Sequence, residues 1–353
     1  MTINSAQTLH TSFYTDDAIF TSTKEKIFKK TWHLVADIEE LPLTNSIMPI
    51  NLLPGFIDEP ILVTRDDKDG IHCFSNICTH RGAVLIEGAC RKNNIKCPYH
   101  GRRFGLDGRF QFTPGFKDAT NFPREEDNLF KYSFYVWGRF FFVSLSPYAE
   151  AQVFLKDMMD RIQWIDLKSL KINQNYSREY LVKAHWALYC DNYLEGFHIP
   201  FVHDALNKIL DQNNYNTELF EYSNLQLGIA RDNQRCFDLP KSSPDYGKRV
   251  AAYYFWLFPN MMFNFYPWGL SINVVQPINK ELTKVKYLVY TNETFTDSDM
   301  SLVDKVERED EYVVESCQRG IKSMAYKTGR FSPSEELGTY HFQSIIKKFL
   351  EGE

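Results

Sequence analysis

Two stretches of this 353-residue chain decide its fold, and they read Cys78-Thr79-His80-Arg81-Gly82 and Cys97-Pro98-Tyr99-His100-Gly101. Each stretch supplies one cysteine and one histidine and ends on a glycine, a residue typical of tight turns. Two thiolates and two imidazoles suit either a tetrahedral zinc ion or a [2Fe–2S] cluster in which the cysteines bind one iron and the histidines bind the other. The spacing therefore predicts a metal centre held by two loops.

Each of these residues also has a structural interpretation, because a lone cysteine or histidine is more often part of a core than a metal ligand. The chain has seven cysteines, an odd number with uneven spacing, which is not typical of a disulfide framework. The paired occurrence on two loops argues against coincidence. Ligand chemistry alone leaves zinc and the iron–sulfur cluster as alternatives.

A second metal site is predicted further along the chain, where Glu195 precedes His198 by three residues and His203 follows it by five. Glu195 and His198 are i,i+3 neighbours on a helix, so the carboxylate can lie beside the imidazole. On a straight helix, His198 and His203 would point about 140° apart. Pro200 interrupts the hydrogen-bond ladder between them, so the turn can aim His203 toward a common metal.

The carboxylate that would complete this site is predicted in the helical segment 302–324. The apolar stripe of that segment comprises Val303, Val306, Val313, Val314, Cys317 and Ile321. Asp310 falls on the same stripe, and a carboxylate on a buried face must be ion-paired or bind a metal. Two histidines and one carboxylate form the facial triad of iron(II), which leaves positions open for O₂. Glu307, Glu309 and Glu311 are expected to be solvent-exposed.

The chain is expected to consist of three parts. A helical leader at 1–32 is expected to pack on the larger domain, which spans 147–353, and a small all-β domain is expected to span 33–146. The β-domain is indicated by short strands around the turn Asp69-Gly70 and by a second hairpin turn at 106–109.

The larger domain is predicted to place helices on a sheet. Strands are expected within 174–186 and 251–277, and helices within 302–324 and 338–350. The polar segment 206–249 has two interpretations, a lid over a pocket or a surface excursion.

Composition argues against two classes of partner. The formal net charge of −5 is not typical of a protein that binds nucleic acid or anionic membranes. No window reaches the ~18 apolar residues of a membrane span, and the first seven residues do not have the character of a signal peptide. We therefore expect a cytoplasmic protein without nucleic-acid or membrane partners.

With both metal motifs in this order, the chain resembles the Rieske-type non-haem iron oxygenases, the oxygenase (α) subunits of ring-hydroxylating and demethylating systems. The two loops match the family's Cys-x-His…Cys-Pro-x-His-Gly motif, and 195–203 is similar to its (Asp/Glu)-x-x-His-x-x-x-x-His motif. Similarity extends over nearly the whole chain, including Phe258-Pro259-Asn260. Many members carry Trp after the His-Gly step, where this chain has Arg102. The resemblance implies an α+β fold with a small all-β Rieske domain and a larger catalytic domain of helix-on-antiparallel-sheet (helix-grip, START-like) type.

The resemblance also implies a role for each predicted site residue. The ligands of the Rieske [2Fe–2S] cluster would be Cys78, His80, Cys97 and His100. The ligands of a mononuclear iron(II) would be His198, His203 and Asp310. Glu195 would link a cluster histidine, expected to be His100, to His198 across a subunit interface in a homotrimer. Asn192 is a further catalytic candidate.

The implied reaction is an oxidation by O₂. A flavin- or ferredoxin-type reductase, supplied by NAD(P)H, would deliver electrons singly through the cluster to the iron, where oxygen enters a small organic substrate. The sequence does not distinguish a monooxygenase from a dioxygenase, and it identifies neither the reductase nor a β subunit. Two alternatives from other classes are a Rieske electron carrier without oxygenase activity and a zinc-stabilised binding protein, and neither would use the second metal site.

Glu195 bears on the substrate, because most ring-hydroxylating relatives carry Asp at this position. A Glu there looks like the choline, carnitine and glycine betaine monooxygenase branch, which oxidises small quaternary ammonium compounds. Such a cation needs an aromatic cage. Candidate rings are Tyr253, Phe255, Phe263, Phe265, Tyr266 and Trp268. The alternatives are that these rings are core residues of a sheet, and that the substrate is a small aromatic or polycyclic compound.

Overall fold

The computed structural model describes residues 2–211 and 215–352, with the backbone alone at residues 301 and 302. Its contacts divide the chain into two compact units. One comprises Trp32–Tyr148, and the other combines Met1–Thr31 with Ala149–Glu353. The predicted α+β class is confirmed, because the first unit is built of strands and the second of helices on a sheet.

The unit Trp32–Tyr148 consists of short strands joined by tight turns. Its strands are β1 (His33–Asp37), β2 (Ser46–Leu52), β3 (Glu59–Arg65), β4 (Ile71–Ser75), β5 (Cys90–Arg91), β6 (Ile95–Lys96), β7 (Arg103–Phe104), β8 (Phe110–Phe112), β9 (Ser133–Trp137) and β10 (Phe140–Ser144). They form three sheets, in the orders β1-β10-β9, β4-β3-β2-β5 and β6-β7-β8. Both predicted hairpin turns are confirmed, with Asp69 at φ 68° between β3 and β4 and Gly108 at φ 79° between β7 and β8.

The apolar core of this unit includes two of the predicted metal ligands. Cys78 and Cys97 are 3% and 2% exposed and belong to a cluster that also contains Phe74 and Phe104. Burial of an apolar side chain contributes about 1.5–3 kcal/mol, so the core holds both ligand loops firmly in place.

The second unit is organised around one antiparallel sheet. Its strands are β11 (Lys171–Ile172), β12 (Arg178–Val182), β13 (Asn216–Leu219), β14 (Ser223–Ile229), β15 (Val250–Leu257), β16 (Met261–Tyr266), β17 (Gly269–Asn279) and β18 (Leu282–Thr291). The sheet order is β11-β18-β17-β16-β15-β14-β13, and β12 also pairs with β18. Its helices are α1 (Ser12–Thr15), α2 (Asp17–Lys26), α3 (Ala151–Arg161), α4 (Trp186–Tyr193), α5 (Ile199–Val202), α6 (Asp204–Asn207), α7 (Asp297–Ile321) and α8 (Leu337–Glu351).

The segment 206–249 is a surface excursion only in part, because β13 and β14 extend the main sheet through its first half. Residues 231–249 contain no strand and are mostly exposed. Leu225 and Leu227 of β14 are buried, and so are its polar residues Asn224 and Gln226. Gln226 donates to the Tyr193 carbonyl oxygen at 2.7 Å, which satisfies its amide inside the protein. Amide-rich composition therefore does not indicate solvent exposure here.

Both long helices form where the apolar periodicity predicts them. Helix α7 begins earlier than expected because Thr296 and Asp299 form a capping box at its N-terminus. Helix α8 passes very close to the end of α4, and a Cβ added at Gly338 would lie 2.3 Å from the Leu194 carbonyl oxygen. Gly338 thus permits the contact that fixes the end of α4, directly before Glu195.

The N-terminal helices belong to the same unit as the large sheet. Asp16 caps α2 by accepting the N–H groups of Ala18 and Ile19 at 2.8 and 3.0 Å. The Tyr14 hydroxyl donates to Asp191 of α4 at 2.9 Å. Among the helices of the described residues, none is long and apolar enough to cross a membrane.

Candidate metal centres and active-site cavity

The two ligand loops of the β unit have the same backbone design. In the first, the Cys78 N–H donates to the Ala83 carbonyl at 2.8 Å and the Gly82 N–H donates to the Cys78 carbonyl at 3.0 Å. The second loop repeats both bonds, at 2.8 and 3.1 Å, between Cys97, Arg102 and its own glycine. The two glycines adopt φ of 69° and 74°, a left-handed conformation that other residues rarely accept.

The loops place like ligands together. The thiols of Cys78 and Cys97 lie within hydrogen-bonding reach of each other, and the rings of His80 and His100 are 4.8 Å apart. Three potential ligand atoms within 4.8 Å of one another occur, among the described residues, only at the second site below. The four donors are therefore more widely spread than one zinc ion requires, and they fit a cluster with two irons. His80 Nδ1 is buried and has no hydrogen-bond partner among the described residues. A nitrogen that binds a metal would have this environment.

Arg102 places a buried cation beside these ligands. It is 2% exposed, and its Nη1 donates to Thr79 Oγ1 at 2.9 Å and to Asp127 Oδ1 at 3.2 Å. Three rings, those of Phe110, Phe116 and Phe122, lie with their centroids 5.2–5.4 Å from the guanidinium carbon. Burial, the neighbouring His100 and the Arg102 guanidinium lower the pKa of His80. The guanidinium thus acts electrostatically on at least one predicted cluster ligand.

We expect Arg102→Met to lower the reduction potential of the bound cluster, because reduction adds negative charge that the guanidinium stabilises. A shift on the order of tens of millivolts is expected at protein-like dielectric constants. A potentiometric titration followed by EPR measures it. Arg103→Met is the matched control, because Arg103 is more exposed than Arg102 and should be better screened by solvent. An unchanged potential in Arg102→Met, with the cluster intact, would contradict this role.

The second candidate site lies where helix α4 ends and the short helix α5 follows it. Helix α4 ends at Tyr193, and α5 spans only Ile199–Val202. His198 and His203 occupy the N-cap and C-cap positions of α5. The chain between them is too short and irregular to behave as a straight helix, so both imidazoles can face Asp310 of α7.

The three predicted ligand atoms of this site converge. The two Nε2 atoms of His198 and His203 are 3.2 Å apart, and Asp310 Oδ1 lies 3.4 Å from the first and 3.0 Å from the second. Ligands about 2.1 Å from a metal and at right angles to one another are about 3.0 Å apart. The residues thus fit one face of an octahedral ion and leave the remaining positions open.

Two carboxylates orient the histidine rings. Glu195 Oε1 lies 2.6 Å from His198 Nδ1, and its other oxygen accepts the His198 backbone N–H at 3.0 Å. Glu309 Oε2 lies 2.8 Å from His203 Nδ1. A carboxylate on Nδ1 leaves Nε2 free for the metal and increases its basicity. The prediction that Glu309 is a solvent-exposed charge is therefore wrong.

Iron binding is expected to tighten as pH rises. In the metal-free protein, burial lowers the pKa of His198, but hydrogen bonds with Asp310 and Glu195 outweigh it and raise the pKa to about 9. Below that pH, iron(II) must displace a proton, so its affinity should increase about tenfold per pH unit for each proton released. Anaerobic iron(II) titrations at several pH values between 6 and 9 measure this slope. An iron affinity that is independent of pH would contradict the expectation that His198 is protonated in the metal-free protein.

The triad lines a cavity of about 120 Å³ in the second unit. Five tyrosines surround it, Tyr193, Tyr215, Tyr254, Tyr266 and Tyr287. Its other polar side chains include the carboxylates Glu195, Glu307 and Asp310 and the amides Gln226 and Asn264. Burial raises the pKa of all five phenols, so the rings are neutral near pH 7. The negative charge of the cavity therefore comes from its carboxylates.

The aromatic residues predicted for a cage are largely on the wrong face of the sheet. Of those six rings, Tyr266 is the one found among the described lining residues. Successive residues of a strand point to opposite faces, so Tyr254 of β15 lines the cavity while Tyr253 and Phe255 are buried in the core. The alternation was visible in the sequence, but the sequence did not show which face meets the metal.

The expectation that Glu307 is solvent-exposed is also wrong, because this residue lines the cavity. It precedes Asp310 by one helical turn and shares its side of α7, so the stripe on which Asp310 falls contained the signal for both. Burial raises the pKa of Glu307 to about 7, and the nearby negative charge of Asp310 acts in the same direction. Asn192 lies on α4 and is not among the described residues that line the cavity, so its catalytic role stays a prediction.

A candidate cluster site in one unit and a candidate iron triad in the other are what an oxygenase that takes its electrons through an iron–sulfur centre requires. The ring hydroxylating alpha subunit (catalytic domain) family matches residues 168–352, and the Rieske [2Fe-2S] domain family matches residues 31–123. The chain belongs to the family of ring-hydroxylating oxygenase α subunits.

Individual relatives are similar over nearly the whole chain. A choline monooxygenase of Beta vulgaris is 28% identical over 98% of this chain and 78% of its own length. A carnitine monooxygenase oxygenase subunit of Acinetobacter pittii is 30% identical over 95% of this chain and 92% of its own length. A solved structure of a quaternary ammonium Rieske monooxygenase, described with carnitine oxidation and inter-subunit electron transfer, superimposes with a TM-score of 0.81 at 27% identity, covering 98% and 96% of the two chains.

The chain is therefore an oxidoreductase that incorporates oxygen from O₂, and its cofactors are a Rieske [2Fe–2S] cluster and a mononuclear iron. Its class requires an organic substrate and an electron-transfer partner. The predicted enzyme class and cofactors are confirmed. The electron-carrier alternative is wrong, because the family match includes the catalytic domain.

Proposed function

We propose that this oxygenase oxidises a small quaternary ammonium compound. The observation that carries the proposal is that five tyrosines line a small cavity, together with the three residues of the candidate iron triad. A quaternary ammonium has no N–H hydrogen to donate, so it is attracted instead by the quadrupoles of aromatic faces. Each such contact contributes about 2 kcal/mol or more when water is excluded. Choline and carnitine monooxygenases among the relatives act on compounds of this class.

The size and polarity of the cavity support the same substrate class. At about 120 Å³ it is smaller than the ~300–1,000 Å³ typical of sites for drug-sized ligands, which favours a compact molecule. Its carboxylates and amides would be poorly matched to a hydrocarbon, because polar groups buried against an apolar ligand lose their hydration. A polycyclic aromatic substrate is therefore disfavoured.

Within the proposal, the predicted ligands divide between the two centres. Residues 78, 80, 97 and 100 hold the cluster in a domain spanning 33–146, and residues 198, 203 and 310 hold iron in a catalytic domain spanning 147–353. When bound, the cluster supplies single electrons and the iron activates O₂. The protein orients the iron ligands, since Glu195 and Glu309 fix the two imidazoles at Nδ1.

The wider assembly is proposed by analogy with the family. Glu195, paired with His198, would reach a cluster histidine, expected to be His100, of a neighbouring subunit in a homotrimer, and Asn192 would assist. A flavin- or ferredoxin-type reductase would supply electrons from NAD(P)H, and the enzyme would work in the cytoplasm.

Single-turnover oxidation tests the proposed substrate class without requiring the natural reductase. The iron-loaded, chemically reduced protein is mixed with O₂ and choline, L-carnitine, glycine betaine, toluene or naphthalene, and the products are identified by mass spectrometry. We expect an oxygenated or demethylated product from at least one quaternary ammonium compound and none from the arenes. Oxidation of an arene alone would contradict the proposal and favour aromatic-ring hydroxylation.

A further inference from the structure

Glu307 is a cavity carboxylate that neither metal centre uses. It lies on α7, one turn before Asp310, and its oxygens are held by neutral donors. The Tyr189 hydroxyl donates to Oε2 at 2.5 Å, and Asn273 Nδ2 donates to Oε1 at 3.0 Å. These donors stabilise the charged form without cancelling its charge. The carboxylate is thus positioned in the cavity but has no cationic partner there.

The other two carboxylates of the lining are committed to the iron site. Asp310 lies against both histidine Nε2 atoms, and Glu195 pairs with His198 Nδ1. A bound iron(II) offsets two of the three carboxylate charges, and the imidazoles are neutral when they bind a metal. With Glu307 ionised, the loaded cavity therefore retains one negative charge, which a monocation would neutralise.

No lysine or arginine occurs among the described residues that line this cavity. The nearest basic residues on α7 are Lys305 and Arg308, which are 58% and 64% exposed and pair with Glu309 and Asp304. A substrate carboxylate would enter without a protein cation to receive it and would face Glu307. Burying an unpaired charge beside a like charge is costly, so such substrates should be selected against.

We propose that Glu307 is the counter-ion of a monocationic quaternary ammonium substrate that bears no carboxylate, such as an amino alcohol of the choline type. This inference rests on the proposed function and narrows it, because betaine-type zwitterions, including carnitine, become poor ligands. A hydroxyl group suits the remaining lining, where the phenols of Tyr193 and Tyr215 donate hydrogen bonds to the amide oxygens of Asn264 and Gln226.

Anaerobic calorimetry on the full-length, iron-loaded protein tests the proposal with three probes: choline, L-carnitine and 3,3-dimethylbutan-1-ol, the uncharged isostere of choline. We expect choline to bind at least about tenfold more tightly than either of the others, a difference of about 1.4 kcal/mol. This comparison uses the unmodified protein and does not depend on the folding of any variant. Carnitine binding as tightly as choline would overturn the proposal.

Glu307→Gln should weaken choline binding about tenfold or more and leave the uncharged isostere unaffected, because the substitution removes charge and preserves shape. Glu311→Gln is the matched control, since Glu311 lies on the same helix and is not among the described lining residues. Iron content and circular dichroism establish that each variant is folded. Unchanged choline affinity in Glu307→Gln would overturn the role of this residue. If neither choline nor L-carnitine binds and toluene, titrated in the same way, does bind, the proposed function itself fails.

Discussion

His203→Ala is expected to abolish mononuclear iron binding and oxygenase activity while leaving the Rieske cluster intact. The imidazole is 1% exposed, contacts Asp310 through Nε2 and is oriented by Glu309. Its removal leaves two of the three side chains that converge on the site. Loss of activity should exceed the ~10–100-fold typical of removing a residue that only orients a metal ligand. The measurements are iron content per chain, the EPR spectrum of the reduced protein and single-turnover product yield.

The control for this variant is His10→Ala, because His10 lies in the same unit but is exposed, and its ring nitrogen Nδ1 hydrogen-bonds with the nearby Ser12. It should retain iron and activity. Retention of mononuclear iron with normal turnover in His203→Ala would contradict the assignment of the triad.

Glu195→Gln is expected to leave both metals bound and to slow multiple turnover by about 10–100-fold. The amide keeps the size of the side chain but weakens the interaction with His198 Nδ1, now a 2.6 Å contact with a carboxylate. If Glu195 also reaches a cluster histidine of a neighbouring subunit, the rate of electron transfer between the centres should fall by a larger factor than the affinity for substrate. Stopped-flow oxidation of the reduced cluster, compared with the Kd of substrate, separates these two effects.

Glu195→Asp provides the conservative comparison, because it keeps the charge and shortens the reach of the carboxylate. Partial recovery relative to Glu195→Gln is expected. Normal turnover in Glu195→Gln, with both metals in place, would contradict the coupling role of this carboxylate.

The residues of both candidate metal sites could be singled out from the sequence because ligand chemistry is local in sequence. Cysteine and histidine pairs lie on two loops, and the spacing of His198 and His203 around Pro200 already required a broken helix. Asp310 was recognisable because a carboxylate on an apolar stripe must have a buried partner. Helices α7 and α8 followed from their apolar periodicity, and the hairpin turns followed from residues that accept positive φ.

The substrate cavity could not be predicted to the same extent, because its lining comes from elements far apart in the chain. Tyr215 adjoins a strand that the sequence presented as part of a polar excursion, and Tyr254 belongs to a strand whose two faces are both apolar. In such strands the alternation of side chains does not show which face meets the metal. Glu307 was missed for another reason, since acidic residues on α7 resembled an ordinary solvated surface.

Metal analysis and EPR of one iron-loaded sample test whether this single chain carries two different iron centres. After reduction with dithionite, we expect about three irons per chain and a Rieske signal whose average g value lies below that of the free electron. In His203→Ala the count should fall to about two irons, with the signal unchanged. A colourless protein that holds one zinc ion per chain and gives no such signal would contradict the account.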